Sequence, residues 1–293
     1  MKATKVSVII PHFNRGIQCH ATIEAVKNQI FKDWECIFVD DDSEGQYLQE
    51  LREIIKNDER FSLVDRPKSL PKGANACRNY GLEISNGNYV QWFDSDDIMF
   101  PDFLQTKVQY LDQNTEINYV VSQTAWHYVK LNTGKDYYHN LESENIFKSY
   151  INGETFFLIH GPLFRKSFLN RVGVFDMGMK RHQEFEFYFR VLFCDKNFGV
   201  IRKVTAKQIV HNNQMTLQEK SELELIRLST GAYFRIIRFV KGKVHENKKI
   251  ILEALIVRIK TNLKKLILKR DFQYVLISSY YFLVLKLQLI LRK

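Results

Sequence analysis

Val90-Gln91-Trp92-Phe93-Asp94-Ser95-Asp96-Asp97 is an apolar run that ends in three carboxylates within four residues. Large, mostly apolar residues in a row read as a buried strand, and carboxylates at its end must repel one another or share a cation. Oxygen ligands of this kind suit Mg2+ or Mn2+, which keep coordination positions open for substrate phosphates. The same residues also allow a solvated Asp-rich turn or a helix N-cap ahead of Pro101. The rest of the chain decides between these readings.

On the N-terminal side, strand and helix signals alternate at short intervals. Strands are predicted at Val6 to Ile10, Trp34 to Val39, Phe61 to Val64 and Tyr89 to Phe93, with helices at Ala21 to Gln29, Tyr47 to Lys56 and Ala74 to Ile84. This βαβα order implies a parallel sheet with helices on both faces, whose ligands bind outside the carboxyl ends of the strands. Three polar clusters fall at such ends: Pro11 to Arg15, Asp40 to Ser43 and Asp94 to Asp97.

On the C-terminal side the pattern loosens. A helix after Pro101 is followed by strand-like segments Asn118 to Thr124 and Trp126 to Leu131, a polar loop around Gly134 to Asn140, and a helix from Lys180 to Cys194. Short strands near Phe198 to Ile201 and Thr205 to Val210 come next, and from Glu219 onward the sequence is helical in character with no proline. No internal repeat or low-complexity segment is present.

With 293 residues the chain can bury a full core, as one large α/β domain or one domain with an appendage. Cys19, Cys36, Cys77 and Cys194 form no CxxC pair, so neither a zinc site nor a disulfide framework is expected and a reducing cytosol fits. The apolar run at the N-terminus is short and closed by Pro11, unlike a signal peptide. The net charge of +10 is unevenly placed: residues 235 to 293 hold fifteen Lys and Arg against three acids, which leaves the first 234 residues at −2. Apolar residues interleave throughout the basic tail, so an anionic membrane surface is the expected partner and nucleic acid is not. Phe272 to Leu285 is a run of fourteen uncharged residues, too short for a spanning helix, and an interfacial helix is expected there. A helical pair packed on the rest of the chain, or an oligomer contact, are the alternatives.

No two glycines stand one residue apart and no GxxxxGK[ST] occurs, which removes the dinucleotide fingerprint and the P-loop. Instead Ser7-Val8-Ile9-Ile10-Pro11-His12-Phe13-Asn14-Arg15, Val39-Asp40-Asp41-Asp42-Ser43, Arg78-Asn79-Tyr80-Gly81 with Ser85, Gly87 and Tyr89, and Asp94-Ser95-Asp96-Asp97 follow one another in order. These segments resemble the successive signatures of family 2 glycosyltransferases, with weaker similarity continuing to about residue 215. The resemblance implies a GT-A fold, an α/β nucleotide-sugar-binding, Rossmann-like mixed sheet flanked by helices. It divides the chain into a catalytic domain at 1–218, with a nucleotide half near 1–100 and an acceptor half near 101–218, and a basic helical extension at 219–293.

The resemblance also implies roles. Asp41, with Asp40 beside it, is placed like the family acid that accepts a hydrogen bond from uracil, since an acceptor-only carboxylate selects a base with an imide N–H. Pro11, Phe13 and Asn14 would floor and edge the base pocket. Asp42 stands where the family has glycine, a turn that Asp tolerates. Arg78 would engage the diphosphate or brace the carboxylates, and Lys72 is a weaker candidate for donor contact. Asp94 would face the sugar or ribose with Ser95 between the acids, and Asp96 would reach a Mn2+ or Mg2+ ion bridging the phosphates, joined in some relatives by a later residue here matched by His211. Glu184, in Gln183-Glu184-Phe185-Glu186, occupies the position of the base, although a helix acid paired with Arg181 or Arg190 is the plain alternative. Gly161 and Pro162 resemble a loop bordering the acceptor, and Trp126, Tyr128 and the Tyr137-Tyr138 pair could stack on a sugar. The expected protein is an inverting, metal-dependent glycosyltransferase using a nucleotide-sugar, a UDP-sugar first with GDP- or dTDP-sugars as alternatives, and a glycan or lipid-linked glycan acceptor, cytoplasmic and peripheral at the inner face of the plasma membrane. A nucleotide-sugar- or glycan-binding protein on the same fold, without turnover, is the competing reading.

Overall fold

The computed structural model describes residues 5–128, 133–135, 140–210 and 221–290. His211 and the Tyr137-Tyr138 pair lie outside the described residues. In chain order the elements begin β1 (Val6–His12), α1 (His20–Lys27), β2 (Trp34–Asp40), α2 (Gly45–Ile55), β3 (Phe61–Asp65), α3 (Ala74–Ile84) and β4 (Tyr89–Trp92). There follow β5 (Ile98–Met99), α4 (Phe103–Gln113), β6 (Tyr119–Tyr128), β7 (Thr133–Lys135), α5 (Ile146–Asn152), β8 (Pro162–Arg165), α6 (Lys166–Val172), α7 (Gln183–Cys194) and β9 (Gly199–Val210). Three long helices close the chain: α8 (Glu222–Val240), α9 (Lys248–Leu268) and α10 (Phe272–Ile290).

The strands form one mixed sheet in the order β3-β2-β1-β4-β8-β6-β9-β5, with β7 added to β6. The first four are mutually parallel, as alternation with helices requires. Val6, Val8 and Ile10 of β1 pack with Cys19, Ile23 and Val26 on one face. Ile37, Val39 and Cys77 form a second cluster with Tyr80 and Ile84. Burial on both faces is why β1 and β2 read as continuous apolar runs rather than alternating ones.

Two predicted breaks are absent. β6 runs unbroken through Ala125, which is buried, and β9 runs unbroken from Gly199 to Val210 beside it in parallel. The register slips between Ser122 and Thr124, where β9 carries extra residues. Arg202 and Lys203 bulge out there to solvent, which disrupts the sequence periodicity without ending the strand. The expected polar loop around Gly134 instead begins with β7, which pairs with β6 beyond the reach of β8.

In space the chain groups into two units that interleave in sequence. The first holds residues 1–139, 157–180 and 197–214, hence the whole sheet; the second holds 140–156, 181–196 and 215–293. The second unit is helical, with α9 packed against α5, α8 and α10. α8 opens with Ser221 capping the Glu224 N–H at 3.1 Å. The helical character after residue 219 is broken at Gly242 and Arg270, both at positive φ of 78° and 57°. Ile236 and Ile237 of α8 and Ile251, Leu255 and Ile259 of α9 are buried. Asn262 donates to Thr230 at 2.9 Å across the α8–α9 pair.

Candidate functional site

β2, β1 and β4 are adjacent, and the chain leaves β1 for neighbours on opposite sides. This is the switch point at which open α/β sheets bind ligands, and the three polar clusters meet at its carboxyl edge. After β1 the chain turns at Asn14, whose φ is 48° and whose N–H donates to Ser43 Oγ at 2.9 Å. Asn14 Oδ1 in turn accepts from the Glu44 N–H at 2.9 Å, tying the first loop to the second. Asp42 adopts φ 66°, so the acid in the glycine position does take the left-handed conformation.

The acids of the second cluster are held differently. Asp40 is buried, 2.9 Å from His12 Nδ1, and accepts from the Ser43 N–H at 2.9 Å. Burial works to raise its pKa, yet hydrogen bonds from His12 and Ser43 win and hold it below the ordinary carboxylate value. Asp41 Oδ1 accepts from Arg66 Nε at 2.7 Å and from the Gly73 N–H at 3.1 Å. Arg66 also donates to Asp42 at 2.5 Å and to the Leu70 carbonyl at 2.5 Å, and Lys68 reaches Asp42 as well. Phe13 is half exposed with the Lys72 ammonium 4.2 Å from its ring centroid.

The third cluster follows directly from β4. Arg78, buried on α3, donates to Asp94 at 2.9 Å, and Arg15 pairs with Asp96 at 2.9 Å. Thr22 Oγ1 holds the turn through the carbonyls of Ser95 and Asp97 at 3.0 and 2.8 Å. Asp97 points inward, accepting from the Ile209 N–H at 3.0 Å and lying 3.3 Å from His160 Nδ1. Burial pushes its pKa up to about 6 against the lowering influence of His160. Asp94 and Asp96 are partly exposed oxygen donors that already attract cationic groups. Among the described residues no three metal-ligating side chains converge. A Mg2+ or Mn2+ ion that shares its coordination with phosphates and water needs only one or two carboxylates, so the donor set fits such an ion.

Gly161 and Pro162 are buried, and the Gly161 carbonyl accepts from the Ser122 N–H at 3.2 Å, so they build the β6–β8 register. Trp126 is half-buried in β6 opposite Gln208 of β9. In the helical unit Glu184 lies in the first turn of α7, half-buried. The Tyr150 hydroxyl donates to the Glu184 and Phe185 carbonyls at 3.4 and 3.3 Å, and its ring stacks on Phe185 at 5.3 Å. Arg190, a candidate partner of Glu184, grips Glu186 with two bonds of 2.8 and 2.9 Å.

Sequence reasoning missed Arg66 and assigned no task to Arg15 or His12. Their signal was positional: Arg66 follows β3 directly at the same edge of the sheet, His12 ends β1 and Arg15 lies in the loop after it.

Residues 7–173 match the family described as glycosyl transferase family 2. A glycosyltransferase of Rickettsia felis is 31% identical over 153 residues, 52% of this chain and 23% of its own length. A GalNAc(5)-diNAcBac-PP-undecaprenol beta-1,3-glucosyltransferase of Campylobacter jejuni is 33% identical over 105 residues, 36% of this chain and 34% of its own. The chain therefore spans only a quarter to a third of these relatives. The crystal structure of Staphylococcus aureus TarS residues 1–349 with UDP-GlcNAc superposes with a TM-score of 0.62 over 87% of this chain and 81% of that one, at 18% identity, and so shares the GT-A fold. The chain belongs to glycosyl transferase family 2.

Proposed function

We propose that this glycosyltransferase transfers a hexosyl or N-acetylhexosaminyl group from a UDP-sugar to a hydroxyl of a growing, lipid-linked cell-surface glycan, with inversion and with a divalent cation. The observation that carries the reading is the meeting of the Asp41 and Asp94–Asp96 clusters at one strand edge, each carboxylate held by an arginine. Arg66 and the Gly73 N–H fix Asp41 through Oδ1, so Oδ2 is the oxygen for the imide N–H of uracil. Phe13 and Asn14 would edge the base, with Pro11 beneath, while Asp40 acts from behind by setting His12 and Ser43. Asp96 would hold Mn2+ or Mg2+, which would supply Lewis-acid stabilisation of charge on the departing diphosphate, while Asp94 would face the ribose or sugar. His211 remains a proposed further ligand.

In a single displacement the acceptor oxygen bonds to the anomeric carbon as the bond from that carbon to the diphosphate oxygen breaks. The acceptor proton passes to Glu184, the half-buried carboxylate in the first turn of α7. The lipid-linked acceptor is supported by the Campylobacter relative, an undecaprenol-linked glycan glucosyltransferase, and would place the enzyme in the cytoplasm, peripheral at the plasma membrane. The limits 1–218 and 219–293 remain a proposal for the functional parts along the chain.

Calorimetry tests the donor site. UDP is expected to bind with Mn2+ present, to bind far more weakly in EDTA, and to lose the metal effect in Asp96→Ala. Equal affinity with and without the ion overturns the metal-dependent reading.

A further inference from the structure

The turn between α9 and α10 and the outer face of α10 present large apolar side chains to solvent. Leu268, Phe272 and Leu276 are 81%, 73% and 73% exposed. Along α10 the exposed residues Phe272, Leu276, Tyr280, Leu283 and Leu287 recur at steps of four, four, three and four, which sets them on one stripe of the helix. The opposite side holds the buried Ser278 and Leu285, so α10 is packed on one face and bare on the other. Among the described residues no helix is long and apolar enough to cross a membrane.

Charge around the stripe selects the occupant. Lys264, Lys265, Lys269 and Arg270 cluster on the exposed end of α9 and the turn. The acid at that turn, Asp271, is buried against Arg227 at 2.7 Å, and Lys269 is paired with Glu222 at 2.9 Å. Lys264, Lys265 and Arg270 make no ion pair among the described residues, so the rim of the stripe is positive. A second copy docking through the same face would oppose cation to cation. An anionic lipid surface satisfies both parts, phosphate head groups meeting the lysines and the acyl boundary receiving the apolar stripe.

We propose that α10 lies flat on anionic lipid, with Leu268, Phe272, Leu276 and Leu283 entering the acyl boundary and Lys264, Lys265 and Arg270 at the head groups. This specifies the membrane contact of the reading above and rests on that reading only for its purpose, access to a lipid-linked acceptor.

Flotation of the full chain with phosphatidylcholine vesicles, with and without phosphatidylglycerol, tests it. Binding is expected only with the anionic lipid, weakened but not abolished by salt. Leu276→Ser combined with Leu283→Ser should lower the partition coefficient by about tenfold or more, since each removes apolar area from the lipid contact. Leu276→Trp should shift its emission to the blue on anionic vesicles only. These side chains are exposed, so melting and vesicle-free UDP binding should match the parent chain. Loss of lipid binding by the parent chain with UDP binding intact overturns the docking alone, whereas lipid binding without UDP binding overturns the donor assignment alone. A dimer in vesicle-free buffer that the paired serine substitutions dissociate makes the stripe a self-association surface, and overturns the proposal.

Discussion

Asp97 stands one residue from Asp96 yet behaves differently, because it is buried toward His160 rather than turned to the edge of the sheet. Burial raises its folded pKa from an ordinary 3.8 to about 6. The fold therefore favours the protonated acid: its contribution is fully present below about pH 4 and is lost as pH rises through about 6. Asp40, Asp58, Asp102 and Asp112, all lowered, act oppositely and lose their contribution as pH falls through their depressed values. In Asp97→Asn the stability gain over the parent should grow across the window from about 4 to 6, reaching on the order of 1 to 3 kcal/mol by urea denaturation. Arg66→Met should cost roughly 3 to 5 kcal/mol and weaken UDP binding, because it strands Asp41 beside Asp42 without their shared guanidinium. For Glu184→Gln, donor affinity by calorimetry should persist while single-turnover transfer falls by about 100-fold. A carboxylate pair at a strand end is legible from sequence, and so was Arg78 beside Asp94, whereas the pairings of Arg66 with Asp41 and of Arg15 with Asp96 were not. Arg15, Arg66 and Arg78 come from three different loops and helices, and only the folded sheet brings them to one edge.

At the scale of elements, Gly87 sets how closely the lead into β4 approaches β1. A Cβ there would lie 2.5 Å from the Ser7 nitrogen and 2.8 Å from the Val6 carbonyl carbon, both backbone atoms that cannot swing aside. Gly87→Ala should therefore destabilise by about 1 to 3 kcal/mol, read as a lower denaturant midpoint at unchanged slope. Gly81 serves α3 in the same way, since its added Cβ would meet Ile9 Cγ2 at 2.3 Å. The parallel half of the sheet was readable to within a residue or two because β1, β2 and β4 are buried apolar runs closed by polar turns, and the half-exposed β3 still carries Phe61, Leu63 and Val64. β6 and β9 were split in the reading because a bulge and the exposed Arg202-Lys203 pair interrupt the periodicity while the ladder continues. No local pattern reports that a neighbour will bridge such a gap.

For the molecule as a whole, the basic tail was legible as charge, but its packing was not. α9 covers α5 and α8 through buried Ile251, Leu252 and Leu255, so it is core on one side and cationic surface on the other. Removing residues 245 to 293 should expose the inner faces of α5 and α8, increase dye binding to apolar surface and broaden thermal melting. Point changes on the bare face of α10 avoid that damage. The interleaving of the two units reaches further, because the chain passes between them five times. Cutting one peptide bond cannot liberate either unit whole. A chimera joined once at residue 218 would therefore inherit α8, α9 and α10 from one parent and the α5 and α7 they belong with from the other, so grafting the helical unit between enzymes demands exchange of three separate stretches together.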